Sequence, residues 1–250
     1  MELPFDPAYA ALVLGTFLFA GFVKGIAGFG MPTITLGILA LARPLPEAMA
    51  LMLVPTLAAN VWQALAGPAL QPMLRRLWGF LLAAGLGALA GAGILARTDA
   101  VLLSGLLGLL LVLSAALALS GRPLPPPGRR ERWVSPLMGL ASGLLTGLTG
   151  SFLMPAAPYF AALKLPPQDF VQAFGLGVVV ATAALALGMA GGGLLPAEMG
   201  LASLAGVAPA FAGMALGQRV RQGLPEARFR QLVQAALGVL GLWLAFRAFR

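Results

Sequence analysis

The sequence predicts an all-α polytopic membrane protein of two related halves. Each half holds a broken or re-entrant helix pair followed by three transmembrane helices, and the halves are inverted. Three observations predict this: a composition too apolar for a water-soluble globule, apolar runs of membrane-spanning length, and a glycine–proline interruption that recurs with its glycines at a constant offset and its proline one residue further. Of 250 residues, 60% are hydrophobic and 10% charged, with mean hydropathy +0.93. A soluble domain carries about 25% charged residues because its surface faces water.

Charge and chemistry narrow the class further. The net charge of +8 comes from basic residues in the gaps between apolar runs. That pattern marks topology and contact with anionic lipid rather than nucleic acid. Without Cys there is no disulfide or thiolate site, and with no His and eight acids a metal site or another cofactor is not expected. The N-terminal Glu2 and Asp6, with no basic residue around them, do not form a secretory signal, so the first apolar run is read as part of the mature protein.

Apolar segments run at roughly 8–23, 31–42, 47–66, 74–96, 100–119, 135–148, 152–163, 169–190, 197–217 and 229–249. Those near 20 residues can span a ~30 Å hydrocarbon core as helices, the only open-ended structure that satisfies its own backbone in lipid. The pairs 8–23 with 31–42 and 135–148 with 152–163 have members marginal or too short to cross alone. A proline- and arginine-rich linker, 121–134, divides a first repeat (1–120) from a second (135–250). Gly21, Gly25 and Gly28 recur at Gly143, Gly147 and Gly150, an offset of 122, and Pro32 recurs at Pro155. Loop charge indicates inversion. If each broken pair returns to its own side, eleven Lys and Arg gather on the linker side against four opposite. If each pair crosses once, the split is eight to seven. Because cytoplasmic loops are enriched in Lys and Arg, the linker is placed in the cytoplasm and both termini outside.

Inverted repeats with interrupted helices are the layout of secondary transporters, whose sites lie near the midplane at the interruptions. The half-helices from about Pro32 and Pro155 would aim free N–H groups at a ligand, an anion-binding arrangement. The competing reading is that the glycines merely pack transmembrane helices. Candidate substrate contacts at the first break are Lys24, Gly28, Gly30 and Thr33, with Thr35 nearby. At the second they are Thr146, Thr149, Gly150 and Ser151. Lys24 is the one lysine inside an apolar run, either a counter-charge for an anion or a helix-end lysine reaching the interface. Asn60, Trp62 and Gln63 form a polar cluster that serves either ligand or headgroups, and Gln172 and Thr182 are weaker candidates. All eight acids sit at segment ends or in loops, so no mid-membrane proton relay is evident and movement of an anion down its gradient is the simpler mechanism.

The two breaks, Gly21-x3-Gly25-x2-Gly28-x-Gly30-x-Pro32 and Gly143-x3-Gly147-x2-Gly150-x4-Pro155, resemble those of the TauE/SafE family of sulfite exporters and sulfonate permeases. The resemblance covers nearly the whole chain. It implies a multi-pass transporter in the inner (cytoplasmic) membrane for small anions such as sulfite, sulfoacetate or other organosulfonates, and the residues above put that anion between the two breaks. The family's run of consecutive glycines is here interrupted by Phe29 and Met31, and by Phe152 and Met154. The expected partners are that anion and membrane lipid, with a homodimer left open. The alternatives are a membrane-embedded enzyme, for which no acid or base lies beside either break, and a membrane subunit or assembly factor without its own substrate.

Overall fold

The computed structural model describes residues 6–121, 124–221 and 226–248, without the side chains of Ala197 and 226–228. Glu2, Arg122 and Arg250, and the side chains of Glu226 and Arg228, therefore lie outside what is described. Apart from turns and one 3-10 turn at Gly128–Arg130, the regular structure among the described residues is α-helical. In order the helices are α1 (Pro7–Ala27), α2 (Met31–Leu39), α3 (Leu45–Ala66), α4 (Leu70–Leu95), α5 (Ala100–Leu119) and α6 (Glu131–Thr149). They continue as α7 (Ala156–Ala162), α8 (Pro167–Gly191), α9 (Ala197–Ala205), α10 (Val207–Arg221) and α11 (Glu226–Ala248). Among the described residues, seven stretches are long and apolar enough to cross a membrane: α1, α3, α4, α5, α8, the α9–α10 stretch and α11. Large apolar side chains such as Leu82, Leu86, Leu187, Leu232 and Val239 are exposed. This is the surface of a protein solvated by acyl chains.

Two expectations need correction. The first member of each pair is not short: α1 has 21 residues and α6 has 19. Only α2, with 9, and α7, with 7, are half-helices. The glycines before each break pack inside the helix instead of ending it, so the helix runs on to the next left-handed glycine. The run at 197–217 is not one helix either, because it is interrupted at Gly206. A Cβ on Gly206 would sit 2.9 Å from Pro55 Cγ and 2.5 Å from the Phe17 ring, so that crossing leaves room only for glycine.

The chain forms two compact units, and each draws on both sequence halves. Unit 1 contains the residues up to Pro55, Asp99–Ser120, and Leu195 onward. Unit 2 contains Thr56–Thr98 and Gly121–Leu194.

In unit 1, Gly21 and Gly25 of α1 lie on Ala210 and Met214 of α10, and the contacts advance together, so the helices run parallel. Helices α5 and α11 run antiparallel, with Gly108 on Gly241 and Ala245 and Gly105 on Ala248. Arg43, just after α2, places its guanidinium 4.9 Å from the centre of the Tyr9 ring, near the start of α1. That contact sets the segment after α2 beside the start of α1.

In unit 2, Gly139, Gly143 and Gly147 of α6 lie on Phe80, Ala84 and Ala88 of α4, again parallel. Helix α8 also runs parallel to α4, Gly85 meeting Val180 and Gly188 meeting Ala92. Arg76 and Glu131 pair bidentately at 2.7 and 2.8 Å and join the starts of α4 and α6. Tyr159 of α7 stacks on Phe80, in the first half of α4.

Candidate anion site

In unit 1 the glycines of the first break divide the work. A Cβ on Gly21 would overlap the Ala210 carbonyl oxygen, and one on Gly25 would overlap that of Met214, so these two serve helix packing. Gly28 serves conformation: at φ 81° its N–H donates to the Lys24 carbonyl at 2.7 Å and closes α1. Gly30, at φ 96°, opens α2, and the nearest atom to a Cβ there is Ile34 Cδ1 at 3.9 Å. Glycine is needed at Gly30 because only it adopts left-handed backbone cheaply, not because space is short. Pro32 falls in the first turn of α2, where a missing N–H costs nothing, and no side chain caps that turn.

Around this joint the polar side chains are deeply buried. Lys24 and Thr33 are each 2% exposed and Thr35 is fully buried. The Thr35 hydroxyl has no hydrogen-bond partner among the described residues. A helical threonine ordinarily bonds the carbonyl four residues back, so this hydroxyl is unspent. Arg230 of α11 lies 5.0 Å over the Phe29 ring, which brings a second cation to the joint. Its approach has no local sequence signal, since it arrives from some 200 residues away.

The second break, in unit 2, is built differently. Gly150, at φ 75°, closes α6 by donating to the Thr146 carbonyl at 2.7 Å. The hydroxyls predicted as contacts are engaged locally. Thr146 donates to the Ser142 carbonyl at 2.7 Å, with the Ser151 carbonyl 3.2 Å away. Thr149 donates to the Leu145 carbonyl at 2.7 Å and accepts from the Ser151 N–H at 3.3 Å. Helix α7 follows Pro155 and is only 7 residues long, a weak source of dipole. Phe152 packs edge-on against Phe80 and Phe174, with Tyr159 and Phe160 completing an aromatic cluster. In register, Gly147 meets Gly91 and Ala92 near the end of α4, so the joint lies towards that helix's end rather than at its middle.

The α3 cluster separates by residue. Trp62 is 60% exposed and points outward. Asn60 is buried and donates to the Thr56 carbonyl at 2.8 Å. Gln63 donates to the Val171 carbonyl. Gln172 donates to Ala64 and Gly67 carbonyls at 2.7 and 2.9 Å and accepts from the Ala69 N–H at 2.9 Å. It thereby satisfies the C-terminal end of α3 and the turn that follows. The structure thus gathers Lys24, Gly28, Gly30 and Thr33 at one joint in unit 1. It gathers Thr146, Thr149, Gly150 and Ser151 at another in unit 2, and binds Gln63 into the α3–α8 contact.

The apolar helices of membrane-spanning length make this a multi-pass membrane protein. The chain belongs to the sulfite exporter TauE/SafE family, whose model matches residues 13–244. This is a family of membrane transporters for sulfur anions. No curated protein and no solved structure matches the chain.

Proposed function

We propose that the protein carries sulfite or a small organosulfonate across the inner membrane, and that the first break is its main anion-receiving element. The observation that carries this reading is the α1–α2 joint: buried Lys24 stands one turn before Gly28, and the unspent Thr35 hydroxyl lies in α2 beyond an uncapped first turn. An oxyanion there meets a cation, helix N–H groups and a hydroxyl donor, the donors a sulfonate or sulfite needs. At the second break the Thr146 and Thr149 hydroxyls and the Gly150 and Ser151 N–H groups are already bonded and the surroundings are aromatic, so it contributes less.

Inverted halves agree with the orientations within each unit. Parallel halves would make α4 and α8 run in opposite directions and α5 and α11 in the same direction; the contacts have the reverse in both cases. The Arg43–Tyr9 and Tyr159–Phe80 contacts support the same topology, in which each pair returns to its own side.

Counterflow of labelled sulfite in proteoliposomes tests the reading. Sulfite or sulfoacetate exchanges through the native protein, and Lys24→Gln lowers that exchange by at least about tenfold, the loss of one charge-assisted contact. Folded protein that exchanges no sulfur anion sinks the substrate assignment. Thermal protection by sulfite separates a transporter from an assembly subunit, which would gain none.

A further inference from the structure

Unit 1 carries a second, differently built feature at the end away from the α1–α2 joint. There the segment after α2, the start of α5 and the end of α11 enclose a cleft of about 330 Å³. Leu41, Val101 and Leu244 form its apolar lining, and Arg43 and Arg247 its charged one. Arg247 Nη1 donates to the Leu41 carbonyl at 3.0 Å, which anchors the guanidinium in the wall and leaves its other donors to the cleft. Arg43 lies over the Tyr9 ring and forms an exposed ion pair with Glu47 at 4.0 Å, a weak contact at that distance and exposure. Asp99 commits its carboxylate to the Val101 and Leu102 N–H groups at the start of α5. Two arginines therefore line the cleft, with Glu47 as the acid paired to Arg43.

We propose that this cleft binds the headgroup of an anionic phospholipid, its phosphate diester held between Arg43 and Arg247. Planar guanidiniums match phosphate oxygens bidentately. The cleft lies at the ends of membrane-length helices, where headgroups sit. The apolar half of the lining selects lipid over a hydrated anion. Leu41, Val101 and Leu102 continue outward as exposed surface along which acyl chains can lie. The site shares no residue with the break proposed for transport, so either reading stands if the other fails.

Native mass spectrometry of the protein released from mixed vesicles of phosphatidylglycerol and phosphatidylcholine tests it. The unaltered protein retains phosphatidylglycerol preferentially, and R43Q/R247Q lowers that retention about tenfold. R129Q/R130Q removes the same charge from the linker and leaves retention unchanged. R43K/R247K keeps the charge without the planar fork and loses part of it, which also shows that a folded protein is being read. Retention by R43Q/R247Q equal to that of the unaltered protein, or equal loss in R129Q/R130Q, overturns the proposal. Displacement of the lipid by inorganic phosphate or glycerol 3-phosphate at matched concentration also overturns it, assigning the cleft to a soluble oxyanion instead.

Discussion

Glycine does two separable jobs in this protein, and substitution can tell them apart. At Gly143 a Cβ would overlap the Ala84 carbonyl, so Gly143→Ala forces α6 off α4 and costs on the order of 2 kcal/mol, the overpacking penalty. At Gly28 the cost is conformational, on the order of 1 kcal/mol for left-handed backbone. In thermal unfolding in detergent, Gly143→Leu is therefore far worse than Gly143→Ala, because bulk is what the packed site rejects. At Gly30, whose φ is 96° and where the nearest atom to a Cβ is 3.9 Å away, Gly30→Ala carries the same conformational cost and Gly30→Leu adds little to it. The repeat of these glycines was legible in the sequence. Which ones pack and which ones end a helix was not, because φ and the neighbouring carbonyl both belong to the folded chain. Gln172 is a similar case. Taken alone it was a weak ligand candidate; folded, it closes the end of α3, and Gln172→Ala leaves two carbonyls and one N–H to find other partners. A loss of about 2 kcal/mol is expected, measured by the same unfolding assay.

Among the elements, α3 shows how a helix interruption is repaired. Pro55 lies inside it and has no N–H to offer the Leu51 carbonyl. The Ser203 hydroxyl of α9 takes over that role, donating to the Leu51 carbonyl at 2.6 Å and accepting from the Val54 N–H at 3.1 Å. Ser203→Ala removes both bonds in a fully buried setting. It should lower the unfolding midpoint, with a cost on the order of 1–3 kcal/mol, whereas Ser203→Thr, which keeps the hydroxyl, should recover part of it. The proline was visible in the sequence, but its partner lies 149 residues on from Val54 and had no local signature. The lengths of α1 and α6 were underread for a related reason. Gly25 and Gly147 look like breaks by propensity, yet close packing against α10 and α4 keeps both inside their helices.

For the whole molecule, each compact unit combines pieces of both sequence halves: α1 packs with α10, and α4 with α6. The sequence-level division at 1–120 and 135–250 describes the repeat, and the units describe what packs. With inverted halves, a reporter fused after Arg130 reads cytoplasmic and one at the C-terminus reads external. Both fusions on one side would return the parallel arrangement.

The sequence by itself determined that this chain is membrane-embedded, all-helical and twice interrupted, because composition, run length and glycine–proline spacing are local properties that lipid translates directly into helices. It also held the family resemblance that the match over 13–244 bears out. Only the tertiary structure decided which glycines pack, that the Thr35 hydroxyl is buried and unspent while those of Thr146 and Thr149 are engaged, and that Arg43 and Arg247 share a cleft. Those are outcomes of long-range contact, which apolar periodicity cannot encode: any small residue at four-residue spacing looks the same until its partner helix is beside it.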